Sequence, residues 1–308
     1  MGRKITMNGH IGQSVAEVYQ DFILAKTAEG VSDITIRNYH QHLHNISKYL
    51  DIEQPIAALS KRDLESMVCG MRAAGLAHNS ISTYVRVFRT FLNWCQREGR
   101  ADLTIPNMKD KETVKETYTD EELSLLLEKP KSDCSFAEYR NWVIINFLLN
   151  SGCRAATVRN IQNRDVDLGA RQIVYRHTKN GKVQVVPLCS KMVSILRESM
   201  LVQALYNIVD SVFVAMLSEN ALRLAIAHYN RSRGVEKTSI HLFRHTFARK
   251  YLVDCGGDAF MLQKLLGHST LAMTKHYCAI YDADISKNFD RFSPLTQLQQ
   301  TKSKLRRA

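Results

Sequence analysis

Apolar residues recur at helical spacing through the first hundred residues, and this pattern limits the possible folds more than any other feature. In the second of four such segments they lie three or four positions apart after a Ser32–Asp33 start signal, at Ile36, Tyr39, Leu43, Ile46 and Leu50. Two further helices are predicted over residues 61–74 and 80–98. The 308 residues include only 5 prolines and 14 glycines, a composition that favours helices joined by short connections. The sequence therefore predicts a mainly α-helical protein.

A break in this pattern indicates two domains. Gly99 ends the fourth helix, and the polar, non-periodic run that reaches Lys115 has the composition of a linker. Thr119 and Glu122 then stand three positions apart, as in a capping box that opens a helix. The resulting prediction is a helical domain over residues 12–105, a linker over 106–116, a second domain over 117–290 and a C-terminal tail over 291–308.

A short β-hairpin is predicted inside the second domain, which otherwise shows helical patterns. Residues 171–179 and 182–188 are rich in β-forming residues, and only the dipeptide Asn180–Gly181 separates them. An Asn-Gly pair supplies the positive φ angles of a two-residue type I′ turn. Pairing across such a turn would make Lys179 and Lys182 direct neighbours.

The net charge indicates a polyanionic partner. Lysine and arginine outnumber aspartate and glutamate by 42 to 30, which gives a formal net charge of +12 and an isoelectric point near 9.4. Such a surplus favours nucleic acid first and an anionic membrane surface second. On the fourth helix, Arg86, Arg89 and Arg97 are spaced to form one basic stripe. A stripe of this kind is either a solvated helix surface or a phosphate-binding surface, and the pattern alone leaves both interpretations open.

Neither a membrane span nor a metal site is predicted. The longest apolar stretch, residues 143–149, contains Asn146 and is too short to cross a bilayer, and the first residues lack the pattern of a signal peptide. The seven cysteines are scattered without a CxxC pair, as in a protein whose thiols stay reduced. We therefore expect a cytoplasmic, nucleoid-associated protein that uses no metal ion or other cofactor.

Three polar residues of the second domain share one face of a predicted helix. His241, Arg244 and His245 stand at positions i, i+3 and i+4. The two histidines have the HxxxH spacing of a zinc site, but the glutamate and the third ligand of such a site are missing. Separate surface or capping roles are a second alternative, because an isolated HxxR motif is common.

These residues belong to a longer ordered set that resembles the catalytic signature of the tyrosine recombinases, the phage integrase family. The set comprises an arginine after a Ser-Gly-Cys segment, a hairpin lysine, the HxxR pair, a histidine after a glycine, and a tyrosine nine residues beyond that histidine: Arg154, Lys179, His241, Arg244, His268 and Tyr277. The likeness covers roughly residues 12–290. It includes Ile81–Trp94, which resembles the core-binding domain of the family, and Val185–Leu188, which resembles its catalytic domain.

The resemblance implies a fold and a reaction. The fold would be a two-domain, C-shaped clamp around double-stranded DNA, with a SAM-like helical N-terminal domain and a small sheet in the catalytic domain. The reaction would be site-specific recombination through a 3′-phosphotyrosine ester, for the integration or excision of a mobile element. Four protomers would act on two paired recombination sites, and an accessory DNA-bending or excisionase protein would be a further partner.

The chemistry of phosphodiester cleavage explains why these residue types are needed. The phosphate gains negative charge in the transition state, and the guanidinium groups of Arg154 and Arg244 can bind its oxygens without a metal ion. A tyrosine has a pKa near 10 and needs activation at neutral pH. His241 is expected to accept the proton of the Tyr277 phenol or to bind a phosphate oxygen, and His268 to donate to another oxygen.

A lysine on the hairpin suits protonation of the departing 5′-oxygen. Position near the turn does not separate Lys179 from Lys182. The family resemblance selects Lys179, on the strand that enters the turn, and makes Lys182 a phosphate contact.

Two positions depart from the family pattern, and two other functions stay open. Thr157 stands where an acidic residue usually follows the first arginine, which predicts a differently organised or slower pocket, and Leu242 replaces the usual aspartate after the first histidine. A type IB topoisomerase would use similar chemistry, but the N-terminal helical domain and the chain length favour a recombinase. A catalytically silent DNA-binding regulator is disfavoured because every candidate catalytic residue is present.

Overall fold

The chain divides into two compact units, Met1–Glu112 and Thr113–Ala308. A computed structural model describes residues 12–105, 108, 116–176, 183–205 and 218–275. The division between the units falls inside the segment that the sequence pattern assigns to a linker, and the finer domain boundaries stay predictions. No helix within the described ranges is both long and apolar enough to span a bilayer.

The first unit contains the four predicted helices, and their prediction is confirmed. They are α1 (Val15–Ala28), α2 (Asp33–Ile46), α3 (Lys61–Ala73) and α4 (His78–Arg97), with a 3₁₀ turn at Ile56–Ala58. Capping boxes start α1 at Ser14 and α3 at Ser60. Ser32 is the N-cap residue of α2, as predicted, but its hydroxyl bonds the Thr35 hydroxyl rather than the helix backbone.

Aromatic rings from α1 and α4 fill the core of the first unit. The Phe91 ring lies 4.9 Å from that of Tyr19 and 5.7 Å from that of Phe22, measured between centroids, and all three side chains are fully buried. Such offset and edge-to-face contacts add to the free energy gained from burying the rings. The packing leaves the polar face of α4 toward solvent, where Arg86 and Arg97 are exposed.

The second unit is built around one helix that is buried on nearly all sides. The unit comprises α5 (Asp120–Leu127), α6 (Phe136–Ser151), α7 (Ala155–Asn160), β1 (Val166–Asp167), β2 (Gln172–Tyr175), β3 (Gln184–Pro187), α8 (Ser190–Leu205), α9 (Glu219–Ser232), α10 (Ile240–Arg249), α11 (Ala259–Leu266) and α12 (Leu271–Lys275). Helix α6 packs against α5, α8, α9 and α10. The predicted capping box of α5 is confirmed, because the Thr119 hydroxyl accepts from the Glu122 backbone and the Glu122 carboxylate accepts from Thr119 N–H.

The three strands form an antiparallel sheet in the order β1-β2-β3, of which the sequence predicted only the hairpin β2-β3. An unbroken ladder running from a two-residue Asn180–Gly181 turn would pair Tyr175 with Val186. The structure instead pairs Tyr175 with Gln184. The register expected for that turn is therefore wrong by two residues. A shift of two residues leaves every side chain on its own face, which is why the apolar alternation did not separate the two registers. The turn itself, with both lysines, lies outside the described residues.

The helix predicted over residues 241–253 changes its winding near its end. Helix α10 stops at Arg249, and Lys250–Asp254 form a π-helical turn in which Cys255 N–H donates to the Lys250 carbonyl. Single π-turns of this kind frequently occur at functional sites. The turn joins α10 to α11, so the two helices that carry Arg244 and lead to His268 are linked by a short, irregular connection.

Candidate active site

A glycine lets three helices meet at the centre of the site. Gly152 caps the end of α6 in the left-handed conformation, with φ 58°. A Cβ atom at this position would clash with Cδ1 of Phe247 on α10 and would lie 2.9 Å from Cδ2 of Leu266 on α11. Only glycine therefore tolerates both the backbone conformation and the close approach. The contact brings the segment before Arg154 against the helices that carry the other candidate residues.

Arg244 is almost completely buried, with 4% of its surface exposed, and it binds three neutral acceptors. Its Nη1 donates to the Gly152 carbonyl at 2.9 Å, and its Nη2 to the Leu266 carbonyl at 3.0 Å and to Nε2 of His268 at 2.7 Å. None of the described carboxylates pairs with it. A buried cation whose partners are neutral keeps its charge available, and burial of such a charge is costly unless an anion compensates it. The arrangement fits an anion-binding role.

His268 is held from both sides in a buried position. It follows Gly267, which ends α11 with φ 63°, and its backbone N–H donates to the Gln263 carbonyl. On the other side, Nδ1 of the imidazole lies 2.8 Å from Oγ1 of Thr274. Burial, with smaller contributions from the charges of Arg244 and Arg154, lowers the pKa of His268 to about 4. The imidazole is therefore neutral at physiological pH.

The structure brings together Arg154, Arg244 and His268, which are three of the six predicted catalytic residues. Arg154 occupies the N-cap position of α7, and its charge acts on His268 together with that of Arg244. His241 lies in the first turn of α10, one turn before Arg244, and is exposed. Lys179 and Tyr277 lie outside the described residues, and so does the predicted phosphate contact Lys182.

Two further residues hold the site together, and sequence reasoning missed both. Thr274 is the hydroxyl partner of His268. Gln184 donates from Nε2 to the Lys264 carbonyl at 2.7 Å and the Leu265 carbonyl at 2.8 Å. This contact ties strand β3, close to the predicted lysine turn, to the end of α11. Neither residue belongs to a pattern that a single sequence displays, although Thr274 stands only three positions before Tyr277.

The remaining predicted positions have ordinary surroundings. Thr157, at the position of the missing carboxylate, is buried, and Leu242 packs against the core of the second unit. Of the basic stripe, Arg86 and Arg97 are exposed, whereas Nε of Arg89 donates to the Ile105 carbonyl at 3.2 Å. Phosphate contact by the stripe stays a prediction. Across the described ranges no group of histidine, cysteine and acidic side chains is arranged to hold a metal ion.

Acid is expected to destabilise the free protein partly through His268. The ordinary pKa of 6.5 applies to the unfolded chain, so between pH 6.5 and about 4 the unfolded state binds a proton that the folded state does not. The free energy of unfolding should thus fall with pH in this window, by about 2 kcal/mol from this residue. Urea unfolding at pH 7 and 4.5 should show a smaller loss for His268→Gln. An equal loss in both proteins would refute the lowered pKa.

Two family profiles and many known relatives match this chain. The sequence profile of the phage integrase family matches residues 116–284, and that of the phage integrase N-terminal SAM-like domain matches residues 19–99. The tyrosine recombinase XerA of Pyrococcus furiosus is 24% identical over 290 residues, which cover 92% of this chain and 96% of the relative.

Solved structures share the fold. The Tn1549 transposon integrase in complex with transposon right-end DNA gives a TM-score of 0.68 at 17% identity, covering 91% of this chain and 99% of that one. The lambda integrase tetramer bound to a Holliday junction gives 0.69 at 14% identity, covering 86% and 77%.

Proposed function

Because the chain belongs to the phage integrase family and is a tyrosine-type site-specific recombinase, we propose that Arg154 and Arg244 bind the scissile phosphate of DNA while Tyr277 attacks it. The observation that carries this assignment is the buried Arg244 guanidinium, which has only neutral acceptors among the described residues. Within the described ranges, three of its five N–H donors are engaged, which leaves two for partners outside them. A phosphate oxygen is one of the anionic acceptors that such a group binds strongly.

The proposed reaction conserves the energy of the phosphodiester. The phenolic oxygen of Tyr277 forms a bond to phosphorus, the bond from phosphorus to the 5′-oxygen breaks, and a 3′-phosphotyrosine ester results. The phenolic proton passes to His241, and Lys179 gives a proton to the departing 5′-oxygen. Attack of a new 5′-hydroxyl on the ester reverses these steps and releases the tyrosine, so rejoining needs no nucleotide hydrolysis.

The role of His268 depends on whether phosphate is bound. In the DNA-free protein its Nε2 accepts a hydrogen bond from Arg244, so this nitrogen does not donate. The phosphate carries additional negative charge in the transition state. This charge would raise the pKa of His268 and would attract the N–H groups of Arg244. Donation from Nε2 to a phosphate oxygen is then expected to begin only as the phosphate becomes bound.

The assembly and the biological substrate belong to the same proposal. We expect both units to contact double-stranded DNA and four protomers to act on two paired sites. The fold shared with a lambda integrase tetramer on a Holliday junction supports this expectation. The fold shared with a transposon integrase supports integration or excision of a mobile element. An accessory DNA-bending or excisionase protein would be encoded beside the gene. The reaction would take place in the cytoplasm, at the nucleoid, where such DNA resides.

One experiment separates this function from its rivals. The DNA that flanks the gene should supply a candidate attachment site, and a duplex nicked within that site should trap the protein as a covalent adduct on its 3′-phosphate. Relaxation of a supercoiled plasmid that lacks the site would favour a type IB topoisomerase. Tight binding of the site with no adduct would favour a catalytically silent regulator.

The choice between the two hairpin lysines has its own test. A substrate with sulfur at the bridging 5′ position releases a thiolate, which departs without protonation because thiols are far more acidic than alcohols. The Lys179→Ala variant should cleave ordinary DNA slowly. It should cleave the sulfur-containing DNA at nearly the wild-type rate, because that substrate does not need a general acid. Lys182→Ala should show no such rescue. Rescue of Lys182→Ala alone would transfer the role to that residue, and rescue of neither would mean that the proton comes from another group.

A further inference from the structure

The hydroxyl of Thr274 makes a buried contact with the active-site histidine. Thr274 has no solvent-exposed surface, and its Oγ1 lies 2.8 Å from Nδ1 of His268. It belongs to α12, and in the sequence it stands three residues before Tyr277. A single side chain thus links the imidazole to the segment that leads to the proposed nucleophile.

The contact at the other ring nitrogen, Nε2, determines whether His268 or Thr274 is the donor in this hydrogen bond. Nη2 of Arg244 lies 2.7 Å from Nε2 of His268, and a guanidinium group has no lone pair with which to accept. Nε2 must therefore be the acceptor and carry no proton. A neutral imidazole then has its proton on Nδ1, and Nδ1–H donates to the Thr274 hydroxyl.

We propose that Thr274 is a positioning residue that fixes the orientation and tautomer of His268 and thereby keeps Nε2 directed at Arg244 and the phosphate site. A hydroxyl suits this position because it accepts from Nδ1–H in the neutral imidazole and continues to do so when Nε2 gains a proton. A methyl group here would remove the hydroxyl acceptor from the buried Nδ1–H. The consequence for catalysis rests on the proposed recombinase function, whereas the hydrogen bond itself does not.

Two variants separate the hydroxyl from the rest of the side chain. Thr274→Val has nearly the same shape but no hydroxyl, and Thr274→Ser keeps the hydroxyl and loses the methyl group. With a nicked substrate under single-turnover conditions, Thr274→Val should form the covalent adduct about tenfold to a hundredfold more slowly at unchanged DNA affinity. Thr274→Ser should stay within about threefold of the wild-type rate, since it retains the acceptor.

A spectroscopic measurement tests the hydrogen bond without DNA. In protein labelled with ¹⁵N-histidine, the His268 signal, identified by its loss in His268→Gln, should carry the proton on Nδ1. That proton should exchange slowly with water in the wild type and in Thr274→Ser, and at least about tenfold faster in Thr274→Val, because only the last lacks an acceptor.

Several results would overturn the proposal. They are a proton found on Nε2 of His268, wild-type adduct formation by Thr274→Val, and equal slowing of both variants, which would assign the effect to packing of the methyl group. A wild-type protein that forms no adduct would refute the proposed function instead, and the NMR comparison would then decide the positioning role by itself. The NMR spectrum of the wild type also decides the tautomer if Thr274→Val does not fold.

Discussion

Replacement of Arg244 by alanine is expected to slow DNA cleavage by about a thousandfold while DNA affinity falls far less. The guanidinium is buried beside His268, and no described carboxylate neutralises it. Its charge is therefore preorganised for the negative charge that develops on the phosphate, a contribution that is larger in a dry site than in water. Most of the DNA affinity should come from contacts with the backbone elsewhere on the duplex, and these are unaffected.

The same substitution should also destabilise the fold, and this effect has to be measured separately. Alanine leaves the carbonyls of Gly152 and Leu266 without their donor, at a cost of about 2 kcal/mol. Urea unfolding of the free protein measures that cost. Arg244→Lys keeps the charge but cannot serve three acceptors and a phosphate together, so its cleavage rate should lie between those of the wild type and the alanine variant.

Controls make the interpretation specific. Arg171 is exposed, lies in the same unit and bonds the Ser190 hydroxyl. Arg171→Ala therefore removes one positive charge without changing the site, and this variant should cleave DNA normally.

Cleavage is also expected to persist in EDTA, because Arg154 and Arg244 supply the positive charge. Activity lost in EDTA and restored by Mg²⁺ or Zn²⁺ would contradict the arginine-based mechanism.

Local patterns in the sequence were sufficient to predict most of the elements. Helix α4 is an example, because its apolar positions repeat at helical spacing and its buried face includes Ile81, Val85 and Phe88 as expected. The capping box of Thr119 is another, since both of its hydrogen bonds join residues three positions apart. Order and spacing also predicted that Arg244 and His268 belong to one site, and in the structure their side chains share a hydrogen bond.

Contacts between distant segments were not predictable in this way. The Arg244–Gly152 hydrogen bond joins residues 92 positions apart, and it depends on how α6 and α10 pack, which periodicity does not encode. Gln184 is a similar case, because its register in the sheet decides that its amide reaches α11. The hydroxyl of Thr274 acts only because the chain after α11 folds back over His268. The side chains of Gln184 and Thr274 belong to no motif in the sequence, and their contacts arise from tertiary packing.

Replacement of Tyr277 by phenylalanine is expected to abolish the covalent DNA adduct. Tyr277 lies outside the described residues, so its assignment rests on the sequence, in which it keeps the family-like interval of nine residues after His268. Tyr281 is the competing candidate, because it lies four residues further on and would share a helical face with Tyr277. Phenylalanine removes only the nucleophilic oxygen, so folding and DNA affinity should be retained and adduct formation should fall below detection.

The two tyrosines form a matched pair in which each variant controls for the other. A duplex nicked at the candidate site and labelled on the scissile strand should give a labelled, denaturation-resistant protein band with the wild type and with Tyr281→Phe, but none with Tyr277→Phe. Because the phosphate is joined to the 3′ end, the label should remain with the protein when it is placed 5′ to the cut and be released when it is placed 3′ to it. An adduct that survives in Tyr277→Phe and disappears in Tyr281→Phe would show that Tyr281 is the nucleophile. Loss of the adduct in Tyr277→Phe alone, with DNA binding intact, would instead assign the nucleophile to Tyr277, nine residues after His268.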